Sequence, residues 1–176
     1  MGLLLVSCKN DLADVNRLTS KVVAPCETEK DVVTIYSDSA RMKIKLMAPL
    51  IERYVKDTTY VVFNKGIHLI FYDDSLKVKN ELTARYAIKY DVLNRMEART
   101  DVVLTNRKGE KLKTEHLIWD QNKKLIFTDA PVIIIQLGDT LYGDGLQSNE
   151  DFSKYKITKP YGKFAVKQEP DKDSLK

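Results

Sequence analysis

Apolar and polar residues alternate with a period of two along most of this chain. β-branched and aromatic residues dominate the alternating segments, which is typical of strands with one buried face. Short polar segments rich in Asn, Asp and Gly separate them, as turns do. The pattern predicts an all-β sandwich, barrel or roll whose strands lie at residues 32–36, 42–48, 60–63, 67–72, 78–90, 101–105, 111–119, 124–128, 131–137 and 155–158.

Leucine recurs at related positions in these segments, which indicates an internal repeat. The leucines are 36, 30 and 29 residues apart, at positions 46, 82, 112 and 141. Ile67, Val102 and Val132 follow in phase near the start of an apolar strand. This spacing predicts repeated units of two strands, stacked side by side over a shared interior. Such a stack leaves an unpaired strand at each end, where another chain can pair.

The alternation also predicts which side chains share a face. One set occupies the apolar face of its strands and is predicted to point inward: Ile67, Leu69, Phe71, Leu82, Ala84, Tyr86, Ile88, Val102 and Leu104. Thr83, Arg85 and Lys89 are predicted to point outward. Residues 131–137 are apolar on both faces, so their orientation stays open. The inward set forms either a dry core, the commoner use of such residues, or an apolar groove that holds lipid chains.

The first residues raise the question of an anchor. Residues 3–6 are too few for a membrane-spanning helix and short for the core of a signal peptide. The tetrapeptide Leu5-Val6-Ser7-Cys8 matches the lipobox of bacterial lipoproteins, although no Lys or Arg precedes it and a chance match is the alternative. We therefore expect residues 1–7 to be a signal-peptide remnant, Cys8 to carry a lipid, and residues 8–30 to form a tether. The expected location is the periplasmic side of a membrane, and we expect the inner membrane rather than the outer one.

Composition and charge exclude several classes of protein. The net charge of +4, from 29 basic and 25 acidic residues, is spread along the chain, so no basic stripe for nucleic acid is present. Two cysteines cannot form a disulfide framework. His68 and His116 lie in strand patterns without a ligand cluster, so no metal or other cofactor is expected. The chain also lacks a GxSxG nucleophile motif, and we expect no catalytic residues. Two glycines in "YGDGLQS" are expected to let the backbone bend at a strand edge.

A longer motif occupies the C-terminal half. Residues 111–162 contain the pattern LxTExLxWD…TDxPV…GxGLxS…DFxxYxI…G, which resembles the C-terminal half of the LptC family. Residues 36–54 and 63–87 resemble its N-terminal half, so the likeness covers about residues 31–164. This family is the periplasmic bridge component of lipopolysaccharide export and is related to the LptA/OstA-like repeat proteins. The resemblance implies a β-jellyroll that is open along one seam, sometimes called a β-taco, and an apolar interior that shelters lipid A acyl chains.

The resemblance turns the pattern into specific expectations. The jellyroll domain is expected at residues 31–166, followed by a polar disordered tail at 167–176. The side chains expected to line the groove are Ile44, Leu46, Ile67, Leu69, Phe71, Leu82, Ala84, Tyr86, Val102, Leu104, Leu112, Val132 and Ile134.

Partners and anchor also follow from the resemblance. The N-terminal edge is expected to meet an inner-membrane ABC exporter of the LptB/LptF/LptG type through Val32, Val33, Ile35 and Tyr36. The C-terminal edge is expected to meet an LptA-like bridge protein through Tyr155, Ile157 and Phe164. Familiar members have an N-terminal transmembrane helix, whereas this chain has the lipobox at Cys8. The alternative function is that of a surface or periplasmic lipoprotein that binds glycan or protein through a dry-cored β-roll.

Overall fold

The structure is a computed structural model that describes residues 24–55, 57–136 and 139–162. These residues contain antiparallel strands and no helix, which confirms the all-β prediction. The fourteen strands are β1 (Glu27–Asp38), β2 (Arg41–Val55), β3 (Thr59–Phe63), β4 (Ile67–Tyr72), β5 (Val78–Ala84), β6 (Tyr86–Tyr90), β7 (Arg95–Asn106), β8 (Lys111–Asp120), β9 (Leu125–Thr128), β10 (Val132–Gln136), β11 (Asp139–Gly143), β12 (Leu146–Asn149), β13 (Tyr155–Ile157) and β14 (Tyr161–Gly162).

The sheet is folded into two layers that share four long strands, as in the β-jellyroll that the family resemblance implies. In layer A the strand order is β1-β2-β4-β5-β7-β8-β10-β11-β14. In layer B the order is β1-β2-β3-β6-β7-β8-β9-β12-β13. The strands β1, β2, β7 and β8 contribute one half to each layer. Apolar side chains from both layers form one buried cluster between them.

The shared strands bend where they pass from one layer to the other. β2 changes partner from β4 to β3 on either side of Pro49, which cannot donate a ladder hydrogen bond. In β7 the register with β8 shifts between Arg99 and Val102, and both intervening residues have positive φ, 63° at Thr100 and 52° at Asp101. The bend in β7 directly precedes Val102, one of the positions that recur in the sequence repeat.

The chain passes from layer A to layer B for the last time between β11 and β12, at a pair of glycines. A Cβ atom at Gly143 would lie 2.2 Å from Ile157 Cγ2, and one at Gly145 would lie 2.9 Å from the Thr128 carbonyl oxygen. Gly145 also has a φ of 157°, which side-chain-bearing residues rarely adopt. The backbone therefore bends at this edge, as "YGDGLQS" predicts, because both positions lack a side chain.

The repeating leucines form one continuous row across layer A, which we call the leucine row. Cross-strand pairing aligns neighbouring members directly, in the order Leu46, Leu69, Leu82, Leu104, Leu112, Ile134 and Leu141. The first six members are at most 5% exposed, and Leu141 packs against the buried cluster. The sequence period is therefore the spacing at which successive units return to the same row.

The predicted single strand at 78–90 is wrong in one respect, because it breaks at Arg85 into β5 and β6. Leu82 and Ala84 point inward in β5, but the inward residue that opens β6 is Ala87, which is fully buried opposite Ala98. Tyr86 and Ile88 therefore lie on the outer face, which corrects the predicted inward position of both. β5 pairs within layer A and β6 within layer B, so the chain turns a corner here and the alternation shifts by one residue.

Each end of the sheet presents an edge. Among the described residues, β1 pairs only with β2, β13 only with β12, and β14 only with β11. Residues 27–30, which the sequence assigns to a tether, form the start of β1. The C-terminal edge, predicted as one strand, consists of two short strands that belong to different layers.

Candidate functional site

A cavity of about 310 Å³ lies between the two layers on the side opposite the bends. Layer A provides one wall and layer B the other, and their lining residues are Tyr36, Ile44, Leu46, Leu69, Lys89, Met96, Trp119, Gln121 and Glu150. The rings of Phe71 and Trp119 meet edge to face across the gap, with centroids 5.3 Å apart. The cavity thus combines apolar walls with an opening that carries polar groups, as ligand sites commonly do.

The structure brings most of the predicted groove residues together between the layers. Ten of them belong to the buried cluster: Leu46, Ile67, Leu69, Leu82, Ala84, Val102, Leu104, Leu112, Val132 and Ile134. Ile44 and Phe71 are partly buried and pack against it. Tyr86 lies outside, for the reason given above. Because the ten are at most 8% exposed, the interior is packed beyond the cavity, and a larger ligand requires the layers to separate.

Two cations that share the Asp91 carboxylate were not predicted from the alternation. Lys89 lines the cavity and donates to Asp91 Oδ1 at 2.9 Å. Arg53, aligned with Lys89 through Val61 of β3, donates to Asp91 Oδ2 at 3.3 Å and to Glu27 at 2.9 Å. The hydrogen bond with Glu27 is the main cause that raises the pKa of Arg53. The break at Arg85 turns Lys89 inward, and no glycine or proline in the sequence marks that break.

A loop crosses the mouth in the C-terminal half. Residues 149–154, which we call the Phe152 loop, connect β12 and β13 of layer B. The Phe152 side chain is fully buried and stacks on the Tyr155 ring at 5.0 Å. Burial is the largest effect on the Tyr155 hydroxyl and raises its pKa. Gln136 of β10 in layer A donates to that hydroxyl, so the two layers are joined beside the loop.

The outer face of layer B carries a second candidate surface. Tyr54, Tyr60, Tyr86 and Tyr90 line a shallow depression of about 610 Å³ together with Glu52, Thr58, Val62, Asn64 and Ile88. Tyr54 and Tyr60 are stacked, with centroids 5.1 Å apart and planes 8° from parallel. Burial is the main cause that raises the pKa of Tyr54 and of Tyr90. The side chains of Tyr54 and Tyr90 therefore remain protonated at neutral pH.

Each histidine lies beside one glutamate. Their partly buried side chains lie 3.6 Å from Glu81 for His68 and 3.7 Å from Glu97 for His116. Within residues 24–55, 57–136 and 139–162, no group of three or more His, Cys, Asp or Glu could hold a metal ion. Cys26 is an exposed free thiol that contacts the Arg53 carbonyl oxygen at 3.3 Å.

The predicted edge residues lie on edge strands where the structure describes them. Val33 and Ile35 of β1 are 59% and 56% exposed, while Val32 and Tyr36 point to the inner side. Tyr155 and Ile157 are partly buried in β13. Cys8, Phe164 and the tail at 167–176 lie outside the described residues.

The comparisons with known families agree with this geometry. Residues 21–159 match the family described as "Lipopolysaccharide-assembly, LptC-related". The chain belongs to the LptC family. This membership gives it a role in lipopolysaccharide transport in the cell envelope, and the two-layered β-fold with an apolar interior fits that role. A comparison with curated protein sequences finds no significant match. The part of this LptC-family chain that the structure describes contains no helix suited to cross a membrane.

Proposed function

We propose that this protein is a non-enzymatic component of the lipopolysaccharide export machinery that guides acyl chains between its two layers. It receives lipopolysaccharide from an inner-membrane ABC exporter of the LptB/LptF/LptG type and passes it to an LptA-like bridge protein. The protein faces the periplasm and is held at the membrane by a lipid on Cys8, with the segment up to β1 as its tether and 167–176 as a polar tail.

The leucine row is the observation that carries this proposal. It runs from β2, next to the N-terminal edge strand, to β11, next to the C-terminal edge strand β14, and presents similar aliphatic side chains throughout. Each CH₂ group removed from water contributes roughly 0.8 kcal/mol. An acyl chain that slides along this row makes similar contacts at each position. No single position therefore binds it much more tightly than the next.

The two edges suit the transfer from one protein to the next. β1 has twelve residues and an unpaired side, so a strand of the exporter can extend both layers there. At the other end β13 and β14 offer one unpaired edge per layer to an LptA-like protein. Strand pairing at both ends would align the interiors of successive proteins.

The charges at the mouth match an anionic amphiphile. Lys89 lies beside the apolar cavity, where a phosphate of the head group would lie once the acyl chains enter. Asp91 holds Lys89 and Arg53 in place. A phosphate would compete with this carboxylate for the same donors, which keeps the contact weak and reversible.

Trp119 provides the experiment, because it is the only tryptophan and lines the cavity. Dibromostearate, whose bromine atoms quench indole fluorescence on contact, is titrated into the full chain, and stearate is titrated in parallel. We expect the brominated acid to quench Trp119 while stearate does not, because the alkyl chain enters the cavity.

A matched control moves the tryptophan to the outer face. In the variant with Trp119→Phe and Tyr86→Trp, the indole lies among the outer tyrosines, and we expect the same dibromostearate concentration to leave it unquenched. Equal quenching at both positions, or none at Trp119, would show that the chain does not enter between the layers.

One observation favours a second candidate function, the binding of glycan by the outer face of layer B. The stacked rings of Tyr54 and Tyr60 form the aromatic platform that a sugar ring requires, and Glu52 and Asn64 stand beside it. A titration with soluble oligosaccharides, followed by the fluorescence of the Tyr86→Trp variant, tests this. A change that Tyr60→Ala abolishes would support it, whereas no change at millimolar sugar would exclude it.

A further inference from the structure

The Phe152 loop closes the C-terminal half of the groove by contacts with both layers. Asn80 Nδ2 of β5 donates to the Glu150 carbonyl oxygen at 3.0 Å, and Asn106 Nδ2 of β7 donates to that of Phe152 at 3.2 Å. Both asparagines belong to layer A, whereas the loop belongs to layer B. Lys79 adds an ion pair with Asp151 at 3.5 Å. The loop therefore spans the gap between the layers.

The loop is also the wall at which the cavity ends. Glu150 lines the cavity and accepts a hydrogen bond from Trp119 Nε1 at 2.9 Å. Two residues after Glu150, the Phe152 ring is fully buried in the cluster that contains the leucine row. The ring thus occupies interior space close in sequence to the residue at which the cavity ends.

The closed loop contains two unfavourable features. Phe152 has a φ of 50°, a left-handed conformation that a bulky side chain rarely adopts. Asn80 is 2% exposed, and its Oδ1 accepts no hydrogen bond from any residue that the structure describes. An unpaired buried acceptor is destabilising, so the closed position is held against both effects. Release of the loop would let water hydrogen-bond to Asn80 Oδ1 and so relieve the second of them.

The loop can move as a unit because its internal hydrogen bonds are local. Asn149 Oδ1 accepts from the backbone amides of Ser153 and Lys154, at 3.1 and 3.0 Å. Asp151 accepts from the Ser153 hydroxyl at 2.5 Å, and the Phe152 amide donates to the Asn149 carbonyl oxygen at 3.1 Å. These bonds persist when the contacts with Asn80, Asn106 and Lys79 are broken.

We propose that the Phe152 loop is a lid over a cryptic subsite for a hydrocarbon chain, and that the Phe152 ring occupies this subsite until an acyl chain displaces it. The inference rests on the proposed function, since the chain reaches the subsite from the cavity. With the lid closed, lipid entering at the β1 side stops at Glu150. With the lid open, the chain can continue past Glu150 into the space that the Phe152 ring leaves in the buried cluster.

The test locks the lid and maps lipid on both sides of it. Lys79→Cys and Asp151→Cys are joined by a short reducible bis-thiosulfonate linker in the full chain with Cys8 and Cys26 changed to serine. p-Benzoylphenylalanine replaces Tyr36 in the cavity or Tyr155 beneath the lid, and purified rough lipopolysaccharide is the probe. The matched control places the same linker between Val103→Cys and Lys113→Cys, paired neighbours within layer A.

We expect the locked lid to lower lipopolysaccharide adducts at Tyr155 by about tenfold, because it removes the open population. Adducts at Tyr36 remain, reduction of the linker restores those at Tyr155, and the control linker changes neither. In the unlocked chain, Phe152→Gly removes the ring and tolerates the positive φ, so it raises adducts at Tyr155 alone.

Two results would overturn the lid and are distinguishable. Adducts at Tyr155 that neither the lock nor Phe152→Gly changes, with Tyr36 labelled normally, would contradict the lid and leave the proposed function intact. An absence of adducts at both positions in every variant would refute the proposed function, and the lid with it.

Discussion

The substitution Leu104→Ala, at the centre of the leucine row, tests which face of layer A points to the interior. Leu104 is 1% exposed and aligns with Leu82 on one side and Leu112 on the other, which are 5% and 0% exposed. Strands on both sides hold these neighbours, so they cannot collapse fully into the space left. The loss of unfolding free energy should therefore lie within the range of Leu→Ala changes in packed cores, at about 3 kcal/mol.

The matched control is Val103→Ala, one residue away on the opposite face. Val103 is half-buried and pairs with Thr83 and Lys113, so the expected loss is below about 1 kcal/mol. Urea unfolding followed by Trp119 fluorescence gives both values. A loss of 3 kcal/mol also lowers the melting temperature by roughly 6–12 °C for a chain of this size.

Lipid should partly reverse the defect if the interior accepts alkyl chains. An apolar cavity left by a truncated leucine stays dry and can bind apolar molecules. Rough lipopolysaccharide at about one hundred times its dissociation constant would raise the unfolding free energy of either protein by roughly 2.7 kcal/mol by mass action. Equal losses for Leu104→Ala and Val103→Ala would refute the assignment of faces, and an unfolding free energy that lipid raises in neither the wild type nor Leu104→Ala would argue for a closed, dry core.

Three further predictions concern the corner, the charges and the acid response. Ala87→Leu should cost about 1–3 kcal/mol in urea unfolding because Ala87 is fully buried opposite Ala98, while Tyr86→Leu should cost less; the reverse order would contradict the shift at Arg85. Lys89→Gln should weaken the binding of rough lipopolysaccharide more than the binding of stearate. High salt should reduce the difference in affinity between the two ligands in the wild-type protein and leave it unchanged in the variant. Equal weakening of both ligands by the substitution would exclude a phosphate contact at Lys89. The backbone amide of Lys123 is the main cause that lowers the pKa of Asp120 below its ordinary 3.8. The stability lost in Asp120→Asn should therefore be fully present above pH 3.8 and be lost as the pH falls through the lowered pKa of the folded protein; a difference in urea unfolding that is equally large at pH 7 and throughout the acid range would contradict this.

The sequence predicts the repeat well because leucine spacing and strand pairing have a common cause. Each unit must return an aliphatic side chain to the same row, so the period appears directly in the chain. The corners at Pro49 and Gly143 also follow from local chemistry, since a missing donor and a missing side chain are visible in the residue types.

The corner at Arg85 could not be predicted in the same way. Thr83, Arg85 and Lys89 alternate with apolar residues as though one strand continued, and no glycine or proline interrupts them. The shift arises because β5 and β6 pair in different layers, which is a property of the whole fold. It moved Tyr86 outward and Lys89 inward, and so changed two residues of the candidate site.

The Phe152 loop shows a second limit. Asp151 and Phe152 belong to the motif that carries the family resemblance, but the motif gives no distance to Asn80 or Asn106. Those asparagines are 70 and 46 residues away in sequence from their partners. Contacts of this range depend on how the two layers face each other, which residue patterns within a strand do not encode.

Photocrosslinking in growing cells tests the central claim most directly. p-Benzoylphenylalanine is placed at Phe71, which meets Trp119 between the layers, or at Tyr86 on the outer face. We predict covalent lipopolysaccharide adducts at Phe71 and none at Tyr86, with both variants present at wild-type levels in the cell envelope. Adducts at Tyr86 alone, or at neither position in the folded protein, would contradict transport between the layers.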